Sequence, residues 1–270
     1  MNVSRSTSST PTSRHDRRKL ELERRRVQRR AAREKPVASP LRSPMAMFTG
    51  AALLVGALVV GFMMFSRPAA PTVNDLEPPV DEIPAGVLVD GRTMGSPDAK
   101  VTIEIWSDFQ CPACRAFAVN IEPQTITDYV VTGKVRLVYR DAAFQGQRSS
   151  STYDESVEPA AAARCAADQG LFWQMHNWLF ANWNGENKGA FAAPRLTALA
   201  TAAGLDLTEY DACMATGDQQ AAAIDETNQG VAAGINQTPT LIINGQALVG
   251  APRAYADFAA ILDQAYAAAP

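Results

Sequence analysis

The most informative segment of the chain is Val101-Thr-Ile-Glu-Ile-Trp106, followed after four residues by Cys111-Pro-Ala-Cys114. The apolar run is typical of a strand inside a sheet. A strand that leads into a helix beginning at a Cys-x-x-Cys pair predicts thiol–disulfide exchange. Cys111 would lie at the helix N-terminus, where unpaired N–H groups and the helix dipole lower the pKa of a thiol. Cys114 would lie on the same helical face, close enough to form a disulfide.

This cysteine pair has two alternative interpretations. It could be half of a zinc site, or it could be two ordinary buried cysteines. A structural zinc site needs four ligands, often from two closely spaced pairs. The remaining candidates, which are Cys165, Cys213, His15 and His176, form no second pair of that kind. The sequence therefore favours a redox pair that uses neither a metal nor another cofactor.

Charge and hydropathy divide the chain into two regions. Residues 1–44 contain 13 Lys and Arg against 4 Asp and Glu, a net charge of +9, whereas the rest of the 270 residues carries −12. Between them, residues 45–65 form an uncharged, apolar run of 21 residues. A helix of this length spans about 30 Å, the thickness of a bilayer's hydrocarbon core. We predict one uncleaved transmembrane helix, with a cleaved signal peptide as the alternative.

The positive flank predicts the orientation of this anchor. Residues 1–44 should stay in the cytoplasm, so that the chain crosses the plasma membrane once and its remainder lies outside. We interpret this basic tail as a topology signal near anionic lipid and not as a nucleic-acid-binding segment. Residues 66–84 contain five prolines and predict a stiff, extended linker. All four cysteines would then lie in a compartment that permits disulfides.

Residues 85–270 predict one α/β domain. Strand patterns occur at Gly86–Val89, Lys100–Trp106, Val135–Tyr139, Thr240–Ile243 and Gln246–Val249. Helical patterns occur at Cys111 to about Thr132 (with a kink at Pro123), Ala160–Asp168, Leu171–Asn182, Pro194–Ala203, Leu207–Thr216, Gln219–Ala233 and Pro252–Tyr266. The order is β-α-β, a helical block at about residues 145–233, and β-β-α. It predicts a thioredoxin fold with an inserted α-helical domain.

Four stretches in this order resemble the DsbA-type thiol–disulfide oxidoreductases. They are Val101–Arg115, Val138–Asp141, Ala161–His176 and Gly234–Gly245. The resemblance covers about residues 85–270. It implies a thioredoxin fold, a nucleophilic Cys111 and a resolving Cys114.

The resemblance also implies that Pro239 follows Thr238 through a cis peptide bond, beside the cysteine pair. A proline offers no N–H there, so the peptide beside Thr238 could pair with a substrate strand. A trans proline that opens an edge strand is the alternative.

Two positions depart from the pattern of the family. Many members have His between the cysteines, where this chain has Ala113, and this departure leaves the oxidising strength open. Similar members often carry an acid six residues before the first cysteine, where this chain has Ile105. Glu104 is one residue earlier, and one step along a strand places a side chain on the opposite face. Glu104 therefore remains only a possible proton acceptor.

Cys165 and Cys213 lie 48 positions apart in the predicted helical block. Neither has a cysteine three residues away, so we do not expect catalysis from them. We predict a structural disulfide, with two buried free thiols as the alternative.

We expect an enzyme that introduces disulfides into reduced, secreted or membrane proteins through Cys111 and Cys114. A quinone-linked oxidase in the membrane would reoxidise the pair, a partner that the resemblance implies. A disulfide reductase or isomerase of the same fold is the first alternative, because the sequence does not set the direction of exchange. A metal-binding or chaperone-like module is the second alternative.

Overall fold

The computed structural model describes residues 14–33, 55–57, 72–80, 82–146, 153–248 and 250–270. The chain divides into two compact units, residues 1–68 and 69–270. In the first unit, α1 (Arg14–Arg33) is a 20-residue helix rich in arginine. In the described part of the chain, no helix is long and apolar enough to cross a bilayer. The predicted anchor, residues 45–65, lies outside the described residues except for positions 55–57.

In the second unit, the described strands form one six-stranded sheet. They are Val89–Asp90 (β1), Thr93–Met94 (β2), Val101–Ser107 (β3), Val135–Asp141 (β4), Thr240–Ile243 (β5) and Gln246–Ala247 (β6). The order across the sheet is β1-β2-β4-β3-β5-β6. β3 and β4 are parallel, and all other neighbours are antiparallel. The two central strands are therefore the two apolar runs that flank the Cys-x-x-Cys helix in sequence.

The helix after the cysteine pair is broken where proline was expected to kink it. α2 spans Pro112–Asn120 and α3 spans Glu122–Thr125, and Ile121 between them caps both helices. α3 continues as a π-helical stretch, Ile126–Val130. Pro123 lies in the first turn of α3, where its missing N–H leaves no hydrogen bond unmade. The sequence prediction of a kink at this proline is confirmed.

Five described helices lie between β4 and β5 in chain order. They are Val157–Asp168 (α4), Phe172–Ala181 (α5), Ala193–Ala202 (α6), Leu207–Thr216 (α7) and Asp218–Ala232 (α8). α8 passes close to the sheet at Gly230, where an added Cβ would lie 2.6 Å from the Trp106 ring. A glycine within this helix is therefore required by packing, although it costs helix stability.

The C-terminal part of the domain is a hairpin followed by a helix. Asn244 and Gly245 have φ angles of 48° and 81°, as a two-residue hairpin turn requires. β6 is shorter than the predicted strand, which ran to Val249, a residue outside the described part. The last helix, α9 (Tyr255–Ala268), begins three residues after the predicted start.

The predicted edge strand Gly86–Val89 is wrong in its bounds. Gly86 has a φ of 85° and lies in a turn, and β1 begins only at Val89. β1 pairs with β2, a two-residue strand that the sequence did not indicate. β2 in turn pairs with β4 and extends the sheet on that side. Strands this short carry too few residues for a periodic pattern to be visible.

Candidate active site

The two cysteines of the Cys-x-x-Cys motif lie at the start of α2. Cys111 is the N-cap residue, Pro112 is the first helical residue, and Cys114 is buried in the first turn. The backbone carbonyl of Cys111 accepts a hydrogen bond from the Arg115 N–H at 3.0 Å, which closes that turn. Both cysteines are free thiols in this structure. The strand β3 ends at Ser107, so the pair follows the carboxyl end of a central strand.

Thr238 and Pro239 lie against this pair, although they are far away in sequence. The Cys111 Sγ atom is 3.4 Å from the carbonyl oxygen of Thr238, across 127 positions of the chain. The peptide bond between Thr238 and Pro239 is cis. Thr238 is half-buried, whereas Pro239 is buried. The structure therefore brings together the two segments that the sequence singled out.

The surroundings of the two thiols shift their pKa values in opposite directions. The thiol of Cys114 donates a hydrogen bond that lowers the pKa of Cys111 to about 6, and Thr238 and the N–H groups of Cys114 and Ala113 add to this effect. Burial opposes the shift but does not reverse it. For Cys114, burial and then the neighbouring Cys111 raise the pKa well above its ordinary value. Cys111 is consequently the thiolate of the pair at neutral pH.

Asp108 is a buried acid next to the cysteine pair that the sequence analysis did not single out. Its carboxylate accepts hydrogen bonds from the backbone N–H groups of Gln110 and Gln145, both at 2.8 Å, and from Ser156 Oγ at 3.0 Å. Burial raises the pKa of Asp108 to about 7, and the nearby Cys111 contributes to this rise. The acid stands three residues before Cys111, and its position within the motif is the signal that could have revealed it.

Glu104, the possible proton acceptor, lies elsewhere. Its carboxylate forms an ion pair with Arg140 at 3.1 Å, and its side chain is 33% exposed. Successive residues of a strand point to opposite faces, and the neighbouring Ile105 is buried in the core. The geometry does not favour Glu104 as a proton acceptor for the cysteines. The buried acid beside them is Asp108.

A cluster of buried charges joins the sheet to two of the inserted helices. Asp141 at the end of β4 pairs with Arg92 at 3.1 Å and with Arg164 of α4 at 2.6 Å. Glu226 of α8 pairs with the same two arginines and with Arg140. It also accepts the backbone N–H of Asp141 at 2.9 Å. These contacts fix the helices against the carboxyl ends of the central strands, beside the active site.

Cys165 and Cys213 form a disulfide that connects α4 with α7. Cys165 is buried, whereas Cys213 is half-buried. His176 lies in a buried aromatic cluster, with its ring centroid within 6 Å of those of Phe109, Tyr139 and Phe180. Among the described residues, no three Cys, His, Asp or Glu side chains are grouped so that they could hold a metal ion.

The fold and the position of the cysteine pair are similar to those of DsbA-like thiol–disulfide oxidoreductases. Residues 88–264 match the thioredoxin family model Thioredoxin_4. Because this match covers more than half of the chain, the protein belongs to that thioredoxin family.

Curated relatives and solved structures agree with this classification. The chain is 30% identical over 91 residues to the probable disulfide bond formation protein D of Bacillus cereus, an alignment that covers 34% of this chain and 40% of the relative. The solved BdbD of Bacillus subtilis superposes with a TM-score of 0.58 at 19% identity, over 66% of this chain and 94% of that one. DsbA of Mycobacterium tuberculosis gives a TM-score of 0.55 at 26% identity, over 67% and 94%.

Proposed function

We propose that this protein oxidises pairs of thiols in reduced secreted or membrane proteins, outside the cytoplasm, through Cys111 and Cys114. The observation that carries this proposal is the contrast between the two thiols. Because its pKa is lowered, Cys111 is the sulfur that forms the mixed disulfide with the substrate, and it is a good leaving group. The raised pKa of Cys114 keeps the buried sulfur protonated once the pair has been reduced.

The exchange begins with the oxidised pair. A substrate thiolate attacks the Cys111 sulfur, which breaks the Cys111–Cys114 bond and forms a mixed disulfide. A second substrate thiolate then attacks the substrate sulfur of that mixed disulfide. The substrate leaves with its own disulfide, and Cys111 leaves as a thiolate. Two electrons pass from the substrate to the cysteine pair, Cys114 takes up one proton, and the remaining proton goes to solvent.

The groove beside Thr238 is suited to hold the substrate chain. It has a volume of about 660 Å³ and is lined by Phe144, Val231 and Ile235 together with polar residues of the loop before Pro239. Val231 is 54% exposed, so this wall offers apolar surface to an unfolded chain. Pro239 has no N–H, and backbone groups of Thr238 would pair with an extended substrate segment.

We also propose that residues 45–65 anchor the protein in the plasma membrane, with residues 1–44 in the cytoplasm. The uncharged run and its arginine-rich flank support this topology. Residues 66–84 would then act as the linker to the domain at residues 85–270, whose helical insertion spans about residues 145–233. A quinone-linked membrane oxidase would restore the active-site disulfide. Labelling of single cysteines introduced at positions 10 and 70 with a membrane-impermeant maleimide tests the orientation, and labelling of position 10 in intact cells would contradict it.

Oxidative folding of a reduced secreted protein tests the activity. The full chain, with the active-site disulfide formed, should restore the native disulfides of reduced ribonuclease faster than glutathione disulfide alone. The Cys111→Ser variant should show no acceleration, whereas the Glu104→Gln variant should retain the full rate. Equal rates for the wild-type chain and Cys111→Ser would refute the proposal.

A further inference from the structure

A cavity of about 290 Å³ lies between the linker and the helices that follow the cysteine pair. One wall consists of linker residues 77–80 and 82–84. The opposite walls come from α2 and α3 and from the C-terminal half of α5. The proposed function makes no use of this cavity, which is separate from the groove beside Thr238.

The linker is held over the cavity by contacts at both of its ends. Leu76 is buried in the core, and Ile83 packs against the core from the other end. Two hydrogen bonds join the Glu77 backbone to the Asn182 side chain. The Glu77 N–H donates to Asn182 Oδ1 at 3.0 Å, and Asn182 Nδ2 donates to the Glu77 carbonyl oxygen at 2.9 Å. Val80, in the middle, is 88% exposed. Linker residues 77–80 and 82–84 are therefore held over the cavity and leave space beneath them.

Glu122 lies at the inner end of the cavity without a hydrogen-bond partner for one of its oxygens. The residue is 2% exposed, and no described group hydrogen-bonds to its Oε2 atom. The other oxygen is 3.7 Å from Nδ1 of His176, a ring whose pKa burial lowers to about 4. Burial alone raises the pKa of Glu122 to about 8. A buried carboxyl with an unused oxygen carries a desolvation cost that a ligand could remove.

The charges around the cavity favour a cationic ligand. Its lining contains three glutamates, Glu77, Glu82 and Glu122, against one cation, Arg115. Arg115 is already engaged, because its Nε donates to the Phe180 carbonyl at 3.0 Å and its guanidinium lies 5.8 Å from the Trp183 ring. The remaining surface is largely apolar and includes Pro78, Pro79, Ile83, Val119, Ile126 and Phe180. An apolar body with one positive group fits this combination.

We propose that the cavity binds a small organic amine, whose ammonium group pairs with Glu122 and whose apolar body lies between the linker and the helices. The volume is at the lower end of the range for small-molecule pockets, about 300–1,000 Å³, so one ring with a short chain is the expected size. The ammonium group stays protonated, and Glu122 releases its proton to solvent when the pair forms. His176 of α5, which is neutral near pH 7, lies beside Glu122, and the charged groups Arg115 of α2, Glu77 and Glu82 line the same cavity.

Calorimetric titration of the purified full chain with 2-phenylethylamine tests the proposal. 2-Phenylethanol is the control, because it has nearly the same shape and no charge. We expect saturable binding of one amine per chain and roughly tenfold weaker binding of the alcohol. Measured in buffers of different ionisation enthalpy at pH 7, about one proton should be released per bound amine, because free Glu122 is mostly protonated at that pH.

Three variants make the test specific for Glu122. Glu122→Gln should weaken amine binding roughly tenfold and abolish the proton release. Glu82→Gln, at the cavity rim, should change the affinity by less than about threefold and keep the proton release. Ala118→Leu fills the cavity from α2 and should abolish binding of both compounds, which keeps the proposal testable if Glu122→Gln does not fold. No saturable binding by the wild-type chain, equal binding of the alcohol, or unchanged binding by a folded Glu122→Gln or Ala118→Leu variant would overturn it.

Discussion

Cys111 and Cys114 carry the same side chain but differ in their environments. The Cys114 thiol and, to a smaller extent, the N–H groups of the helix N-terminus stabilise a negative charge on Cys111, whereas burial disfavours a charge on Cys114. A stabilised thiolate favours the reduced form of the pair and therefore makes the disulfide more oxidising. Ala113 contributes a backbone N–H to this stabilisation, although it cannot contribute the charge of a histidine.

Replacement of Cys114 separates the hydrogen bond that the Cys114 thiol donates from the other causes of the lowered Cys111 pKa. Cys114→Ala removes the thiol that contributes most to the lowered pKa of Cys111, so that pKa should rise by about one unit. Cys114→Ser keeps a donor at the same place and should leave the pKa closer to that of the wild type. The rate of alkylation of Cys111 by iodoacetamide as a function of pH reports the thiolate fraction. Equal profiles for the two variants would show that the helix terminus, and not the neighbouring thiol, sets the pKa.

Asp108 should couple the reactivity of Cys111 to pH near neutrality. The two anions disfavour each other: burial raises the pKa of Asp108 to about 7, and the charge of the nearby Cys111 adds to this rise. As the pH rises through about 7, ionised Asp108 should therefore raise the pKa of Cys111. Asp108→Asn removes this charge and should lower the pKa of Cys111 by some tenths of a unit, with a simpler, single-step alkylation profile. Glu104→Gln is the matched control, and a wild-type profile for Asp108→Asn would contradict the coupling.

At the scale of elements, the buried ion pairs determine how the helices meet the sheet. Arg92 follows β1, Asp141 ends β4, and Glu226 lies in the middle of α8. The guanidinium groups of Arg92 and Arg164 each contact both carboxylates. Removal of one carboxylate leaves two buried arginines to share the other, and this incomplete compensation costs more than the loss of a surface pair.

Glu226→Gln should therefore destabilise the domain by roughly 3 kcal/mol near pH 7. Burial raises the pKa of Glu226, but the hydrogen bond and charge of Arg92 outweigh it and lower the pKa to about 2. The stabilisation is present above the ordinary pKa of about 4.5 and is lost as the pH falls towards 2, so the difference between variant and wild type should shrink over that interval. Urea unfolding of the variant and the wild type at several pH values measures this difference in stability. The exposed neighbour Asp225→Asn is the control, and an equal cost for both variants would contradict the assignment.

The sequence was informative for the long elements and uninformative for the short ones. β3, β4 and the helices of the inserted block have enough residues to show a period, and their predicted bounds differ from the structure by at most three residues. β2 has two residues, and its place is determined by pairing with β4. Two residues are too few to show a periodic pattern, and the strand is fixed by pairing both with the neighbouring β1 and with β4, more than 40 positions away.

At the scale of the molecule, the active site is assembled from two segments that only the fold brings together. The contact of Cys111 with Thr238 followed from the topology and from the family resemblance. Asp108 belongs to the motif, but its buried environment depends on hydrogen bonds from Gln145 and Ser156, which lie in another segment of the chain. The unpaired oxygen of Glu122 likewise results from tertiary packing. Sequence spacing can show where such a residue lies, as it does for Asp108, but not how deeply it is buried or which groups contact it.

The Cys165–Cys213 disulfide should stabilise the domain without taking part in exchange. It closes a separation of 48 positions, which corresponds to about 4 kcal/mol in the chain-entropy model. The double variant Cys165→Ala/Cys213→Ala should lose stability of this order in urea unfolding, with the active-site pair kept reduced in both proteins. The alkylation profile of Cys111 should stay unchanged. A shifted profile, or a free energy of unfolding equal to that of the wild type, would contradict a purely structural role.

The reduction potential of the Cys111–Cys114 pair decides between oxidation and reduction of the substrate. Equilibration of the full chain with glutathione redox buffers gives this value, with Cys165→Ala/Cys213→Ala as the control that confines the titration to one pair. The stabilised Cys111 thiolate predicts an oxidising pair, with a potential of about −200 mV or less negative. A potential near that of a cytosolic reductant, about −270 mV, would show that the pair reduces disulfides and would contradict the proposed direction of exchange.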